Sequence, residues 1–368
     1  MIGRSPTTAL RRHRDGGAPA RPRRLIAVSI ALLALVLLSA ASLYLGSRLV
    51  PPATVSRILL DAATDLGSGQ SASQRAEALG IAVQDYSAII DLRLPRTVIA
   101  VAAGAALGLA GALMQVLTRN PLAEPGILGV NAGAAFTVVL AIVLLGVSSP
   151  LVFVAASLVG AFLATLAVFM IGTLGAGAIS PERLTLAGVA LGAVLAGLTS
   201  AFRLSNPREY SILLVWESGD LSQRGWETAL PALPVVAIGV VLALLLAGPM
   251  NTLGLGEDMA ASLGANVQRT RVLMVLAITL LAGSATALAG PIVFLGLMAP
   301  HVARWIVGPD QTRLLPLAAL LSAVIMVLAD VIARLVRWPG EVPVGIISAL
   351  LGAPVLIILV RRRRASGL

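Results

Sequence analysis

Gly290-Pro291-Ile292-Val293-Phe294-Leu295-Gly296-Leu297-Met298-Ala299-Pro300-His301-Val302-Ala303-Arg304 is an apolar run interrupted by prolines and glycines and closed by an imidazole and a guanidinium. Each proline inside a helix deletes a backbone donor and clashes with the preceding turn. In lipid such a break persists only where neighbouring helices or a cavity re-satisfy the freed backbone groups. The segment therefore implies other membrane helices packed around it.

The rest of the chain agrees. Of 368 residues, 58% are hydrophobic and 12% charged, about half the charge of an ordinary soluble domain. Apolar residues come in runs of about 20, the length that crosses a roughly 30 Å hydrocarbon layer as helix. Strand-like alternation is absent, which argues against a β-barrel. The fold class is all-α, a polytopic membrane protein.

Two absences narrow the chemistry. Cysteine is missing, so no disulfide, thiol nucleophile, thiolate metal site or iron–sulfur cluster forms within the chain. Lysine is missing too, every basic side chain being arginine. A Walker A loop needs its lysine against the β/γ-phosphates, so a nucleotide that drives this protein must be bound by another polypeptide. The net charge of +10 is read as a topology signal, arginines clustering beside spans. No basic stripe interleaved with aromatics indicates nucleic-acid binding. No H-E-x-x-H, paired catalytic carboxylates or G-x-S-x-G element appears, and the chain is not read as an enzyme.

An arginine-rich tail covers residues 1–24 and a basic tail residues 361–368. Between them about ten spans are expected, near 25–45, 95–117, 126–146, 150–174, 184–203, 230–249, 271–289, 292–307, 314–334 and 343–360. The first exceeds the roughly 7–15 apolar residues of a signal peptide and is read as a retained helix. Residues 46–91 are the longest polar stretch, where Pro51-Pro52, Ser/Thr caps and amphipathic pieces such as Val55–Leu66 predict short helices outside the membrane. A further short helix is predicted at Ile212–Gly219. An even number of spans puts both termini on one side, which then collects about 16 arginines against about 10 opposite, the cytoplasmic pattern. Gly104 with Gly108, and Gly188 with Gly192, set small residues four apart so that helix backbones can approach closely. For the first pair, packing within the chain is favoured over a subunit interface.

Met250–Arg271 is the largest polar insertion on the side of the tails. Glu257 and Asp258 open a predicted short helix whose N-terminal dipole favours carboxylates. Gly264 suits the cap that follows, since it accepts a left-handed backbone. Two short helices joined by a glycine make a rigid knob; spacing alone leaves coupling to a partner and an inert connection both open. Arg119-Asn120-Pro121-Leu122-Ala123-Glu124-Pro125-Gly126 reads as a rigid turn at the membrane face, with Glu124 near Arg119. Ionisable residues inside spans are functional candidates, and few stand here. Asp330 and Arg334, four apart on one helix face, are expected to pair. Arg304 and His301 lie near a boundary where arginine snorkels, and His301 is assigned packing or hydrogen bonding ahead of titration.

Together these segments resemble the FecCD family, the membrane-spanning permeases of bacterial ABC importers for iron–siderophores, haem and vitamin B12. The matching blocks are Arg93–Arg96, Gly111–Gln115, Asn120–Gly129, Leu186–Leu191, Leu255–Gly264, Gly290–Arg304, Leu314–Pro316, Ala329–Arg334 and Glu341–Gly345, in the family's order. The resemblance implies a type II importer permease whose single transmembrane domain covers residues 25–360. It implies a second permease subunit (the same chain or a paralogue), two ATPase subunits that carry ATP and Mg, and an extracytoplasmic binding protein. The chain itself is expected to hold no cofactor.

The same resemblance assigns residues. Leu255, Gly256, Glu257, Asp258, Ala260, Ser262, Leu263 and Gly264 would contact the ATPase. Arg93, Arg96 and Arg334 fall where family members present outer-face arginines to carboxylates of the binding protein, pairs that set orientation and encounter rate more than affinity. Gly188 and Gly192 match the helix lining the pathway at the subunit interface, and Ser180, Pro181 and Glu182 precede it at the cytoplasmic gate. There the chain departs from the family, in which small hydroxyl residues are common. Asp310-Gln311-Thr312-Arg313 likewise replaces a frequent Asp-His-Arg.

The implied activity is ATP-coupled uptake of a ferric siderophore across a bacterial inner membrane, with both termini cytoplasmic; haem and vitamin B12 are alternative cargoes. An ion-coupled secondary transporter, a different class, needs charged or carbonyl ion sites near the midplane, and intramembrane carboxylates are too scarce for it. A non-transporting scaffold leaves the knob and the outer arginines unexplained.

Overall fold

The computed structural model describes residues 21–64, 71–146, 149–173, 180–205 and 213–365, and every regular element among them is helical. In chain order these are α1 (Arg21–Tyr44), α2 (Pro52–Thr64), α3 (Ala72–Ala78), α4 (Val83–Ser87) and a π-helical turn, Ala88–Arg93, that runs into α5 (Leu94–Leu117). A 3-10 turn at Pro125–Leu128 leads to α6 (Val130–Leu145), α7 (Pro150–Thr173) and α8 (Pro181–Ser205). Then follow α9 (Trp226–Leu245), α10 (Ala247–Leu253), α11 (Glu257–Ser262), α12 (Val267–Ala289), α13 (Leu295–Val307), α14 (Gln311–Leu335) and α15 (Val344–Ala365). The helix expected at Ile212–Gly219 is helical over 213–217; Ile212 and Leu66 lie outside the described residues.

Among the described residues, seven helical stretches are long and apolar enough to cross a membrane, and Val130–Leu145 and Val344–Ile358 are shorter apolar helices. The expected span 292–307 is only partly helical. α13 has 13 residues, about 20 Å at 1.5 Å per residue, and residues 290–294 lead into it without helix. Gly290 ends α12 at φ 78 and Phe294 starts α13 at φ 70.

α5 is the hub. It is buried along most of its length and packs against α14, α12, α13 and α9. Closeness comes from glycine: a Cβ on Gly108 would lie 2.5 Å from the Ala318 carbonyl oxygen of α14, and one on Gly111 would lie 1.8 Å from that of Gly296 in α13. The Gly104/Gly108 pair is thus spent on packing within the chain. α6, α7 and α8 form one flank, and α1 lies against α14.

Side chains of α5 and α13 tie the broken segment to the hub. Gln115 of α5 donates through Nε2 to the Leu297 carbonyl, 3.3 Å away, beside Pro300. Arg304 Nη2 donates in turn to Gln115 Oε1 at 3.0 Å. His301 is buried, edge-on to Trp305.

Residues 119–129 depart from expectation. They do not lie flat as a surface turn: Pro125 reaches Gly296, where a Cβ would sit 3.0 Å from the Pro125 Cδ. Thr286 of α12 donates to Asn131 Oδ1 at 2.9 Å. Glu124 is turned inward and accepts from the Phe294 N–H, so it does not meet Arg119. A carboxylate can be carried inward here because the unpaired N–H at the start of α13 needs an acceptor.

Candidate functional site

Functional side chains collect at the two ends of the bundle. At the end carrying residues 46–91, α2, α3 and α4 close over a small core of their own made of Val50, Val55, Ile58, Ala76, Tyr86 and Ile89. A capping box at Ser71 and Gln74 starts α3. Beneath this cap lies a buried ion cluster. Asp330 is fully buried; Arg96 Nε donates to its Oδ1 at 2.7 Å, and Arg334 Nη2 donates to its Oδ2. Arg96 Nη1 also donates to Glu341 Oε2 at 2.6 Å.

The arginines serve the backbone as well. Arg334 Nη1 donates to the Ser42 carbonyl at 2.8 Å and the Leu45 carbonyl at 3.1 Å. Arg93 Nη1 donates to the carbonyls of Leu43 at 2.9 Å and Tyr44 at 3.1 Å. These are orphan acceptors at the C-terminus of α1, which otherwise lack partners. Arg93, Arg96 and Arg334, expected at the outer surface, are only 6%, 5% and 1% exposed. Their charges are drawn inward because Asp330, Glu341 and the end of α1 need them. Among the described residues, the exposed arginines of this end are Arg48, Arg57 and Arg337. Arg224 was not singled out from sequence: it is buried, donates through Nε to the Asp220 carbonyl at 3.3 Å, and burial pushes its guanidinium down to about 10.

At the opposite end stands the knob. Gly256 at φ 104 and Gly264 at φ 81 bracket α11 in left-handed backbone, with Glu257 and Asp258 in its first turn. Leu255, Met259 and Leu263 are 64%, 55% and 63% exposed, and Asp258, Ser262 and Gly264 are exposed beside them. Ala260 is the exception among the expected contact residues. It is fully buried, and its carbonyl accepts from the Ala265 N–H at 3.0 Å, closing the turn. Glu257 Oε1 lies 2.6 Å from Arg271 Nη2 and 3.0 Å from Arg119 Nη2. A cavity of about 420 Å³, lined by residues including Leu117, Arg119, Leu253, Leu255, Arg271 and Met274, opens beside them.

The knob is tied down at its other side by Asp310, the N-cap of α14, which takes Asn251 Nδ2 at 2.8 Å, the Thr312 hydroxyl at 2.7 Å and the Thr312 N–H at 3.1 Å. The Thr312 hydroxyl above all holds the Asp310 carboxyl below its ordinary value. A depressed carboxyl stabilises the fold above the unfolded value and loses that contribution as pH falls through the folded one. Asp310→Ala is therefore expected to lower the melting temperature of the purified protein at pH 7, by the loss of a cap worth about 1 kcal/mol. The difference from the unsubstituted protein should be flat from pH 8 to 5 and shrink only in stronger acid.

Of the expected gate residues, Ser180 donates to Glu182 at the start of α8. Gly188 is locked within the chain, since a Cβ there would lie 1.9 Å from the Ile127 carbonyl oxygen. Gly192 is open, the nearest atom to its Cβ position being 4.0 Å away. The structure thus splits a pair that sequence treats as one. Around Gly192, α8 leaves Leu186, Val189, Val194 and Leu198 exposed.

Comparison with known proteins gives a consistent picture. The FecCD transport family model matches residues 32–362. The ferric enterobactin transport system permease protein FepD of Escherichia coli (strain K12) is 48% identical over 344 residues, 94% of this chain and 97% of that protein. The hemin transport system permease protein HmuU of Yersinia pestis is 38% identical over 280 residues, 75% of this chain and 83% of that protein. A metal-chelate type ABC transporter solved in an inward-facing conformation superposes with a TM-score of 0.75 at 28% identity, covering 91% of this chain and 98% of that one.

Proposed function

Because the chain belongs to the FecCD transport family, we propose that it is the permease subunit of an ATP-binding-cassette importer that takes up ferric siderophores. The observation that carries this reading is the knob: an exposed apolar ridge, Leu255, Met259 and Leu263, on and flanking a short helix braced by ion pairs. An exposed apolar patch of this kind marks a surface for a partner. The partner is the ATPase, since the chain has no lysine for a Walker A loop. ATP and Mg belong to that subunit. Ferric siderophore is preferred as cargo because the relative matched along almost its whole length transports ferric enterobactin; haem is the alternative.

In this reading the knob faces the cytoplasm, together with both termini, and residues 46–91 face outward to receive a binding protein. Arg93 and Arg334 support that docking face from beneath by holding the end of α1, and Arg96 by holding Asp330 and Glu341. α8 lines the pathway beside a second permease subunit, with Gly192 toward the passage and Ser180, Pro181 and Glu182 at its cytoplasmic mouth. A weakly polar passage grips a polar chelate loosely, so cargo released by the binding protein can leave on the other side. ATP closes the partner dimer and moves the knob, and the permease switches between two packings biased by unequal affinity for the partner's two states.

The test is reconstitution in vesicles with ATPase and binding protein. Uptake of ferric enterobactin is expected to require ATP and the binding protein; uptake of hemin alone would reassign the cargo. Glu257→Ala and Gly264→Val are expected to cut binding-protein-stimulated ATP hydrolysis at least about tenfold, the scale of an inter-site coupling free energy, and to lower the melting temperature as well, since Glu257 pairs with buried Arg271 and valine is strained at φ 81. Leu263→Ser, at an exposed position, is expected to lose coupling with the melting temperature unchanged. Transport driven by a proton or sodium gradient without any ATPase would overturn the reading.

A further inference from the structure

We propose that residues 119–129 are a coupling strut between the knob and α8, with Arg119 as its positioning residue. The proposal rests on the coupling reading above. Each end of the loop is held by a direct contact. At its start, Arg119 Nη2 lies 3.0 Å from Glu257 Oε1. At its far end, the 3-10 turn Pro125–Leu128 packs on α8, which otherwise lies against α6 and α7. A Cβ on Gly188 of α8 would lie 1.9 Å from the Ile127 carbonyl oxygen, 3.0 Å from its carbon and 3.2 Å from the Leu128 Cα. All three are backbone atoms, so no side chain is there to absorb a displacement.

Between these ends the chain is stiff. Pro121 and Pro125 fix φ. Asn120 accepts twice, from the Ala123 N–H on its carbonyl at 3.1 Å and from the Leu122 N–H on its Oδ1 at 3.0 Å. The Glu124 carbonyl takes the Ile127 N–H at 3.1 Å, and that of Gly126 takes the Gly129 N–H at 3.0 Å. The Glu124 side chain accepts from the Phe294 N–H, which fixes the turn against α13. Among the described non-glycine residues only Arg119, at φ 49, and Phe294, at φ 70, have left-handed backbone, and both are anchors of this loop. Side chains are crowded in that conformation, and it persists where the surroundings over-determine it.

The cavity of about 420 Å³ is lined by Leu117 and Arg119 at the end of α5 and by Leu253, Leu255 and Gly256 of the knob. Packing therefore does not join the two there; the Arg119–Glu257 pair does. Buried Arg271, 2.6 Å from the same Glu257 oxygen, keeps Glu257 seated without Arg119. Arg119 itself is 56% exposed, and exposed ion pairs contribute little to stability. A shift of the knob reaches the loop through this guanidinium, and a loop that cannot yield passes it to α8 at Gly188. Such a run of bonded and packed groups is a physical route for coupling.

The experiment uses the complete transporter, with its ATPases and binding protein, in vesicles with ferric enterobactin as probe. The readout is the ratio of ATP hydrolysis with loaded binding protein to hydrolysis without it. Arg119→Gln is expected to melt like the parent yet lose about threefold to fivefold in this ratio, the scale of one exposed ion pair, and Arg119→Lys to recover most of it. Pro121→Gly with Leu122→Gly softens the loop while leaving Arg119, Ile127 and Gly188 in place, and should cause a similar loss. Joining these changes to Arg119→Gln should cost no more than either alone, as for two parts of one link. A parental ratio in Arg119→Gln or in the glycine variant overturns the strut, as do additive losses on joining them; the coupling reading then stands if Leu263→Ser still loses the ratio. A parental ratio in Leu263→Ser overturns the coupling reading itself.

Discussion

Gly111→Val should leave almost no folded protein in the membrane fraction. An ideal Cβ at Gly111 would lie 1.8 Å from the Gly296 carbonyl oxygen, 2.4 Å from its carbon and 2.5 Å from its Cα. All three are backbone atoms, so no side-chain rotation relieves the clash. Either α5 and α13 part, or the local helix distorts. Parting also separates Gln115 from the Leu297 carbonyl and from Arg304. Overpacking a core costs about 1–3 kcal/mol and occasionally more, and a contact between two backbones belongs at the upper end. Set against a total of roughly 5–15 kcal/mol, such a loss together with orphaned polar groups is enough to prevent accumulation. Gly192→Val is the control: the nearest atom stands 4.0 Å away, and yield and melting temperature should match the parent. Parental yield of Gly111→Val would mean that the two helices do not cross at this point.

What could be read from the sequence was local. Runs of apolar residues announce spans because the bilayer sets their length, and helices cover most of the expected runs, with residues 290–294 and the 3-10 turn at Pro125–Leu128 as exceptions. Asp330 and Arg334 pair as their four-residue spacing requires. Gly264 takes the left-handed backbone that a cap after a short helix demands. Partners far apart in the chain carried no comparable signal. Arg96 meets Asp330 across 234 positions, and Glu341 stood within a family block with nothing to mark it as Arg96's second acceptor. Arg119 and Glu124 show the limit most clearly. Five positions apart in one short loop, they suggested each other; the fold sends the carboxylate inward to the Phe294 N–H and the guanidinium outward to Glu257. Periodicity could show that residues 290–304 break, but not that the extended part comes first and the helix after it.

Asp330→Ala is expected to be the most damaging single change at the end of the bundle that carries α2, α3 and α4. The carboxylate is fully buried and shared by two guanidiniums that are themselves almost entirely buried. Removing it leaves positive charge without compensation in a medium that solvates charge poorly, a loss of about 3–5 kcal/mol for a broken buried pair. The damage should spread, because Arg334 also holds the Ser42 and Leu45 carbonyls and, once freed to seek water, would release the end of α1. A steep fall in melting temperature, with protease cleavage after Tyr44, is the expected outcome. Arg334→Met added to Asp330→Ala should win back part of the loss, since deleting both charges of a buried pair is far less harmful than deleting one. If Asp330→Ala melts with the parent instead, water must already reach these arginines. They would then be free to turn outward, and their assignment as charges that meet the binding protein directly would regain its footing.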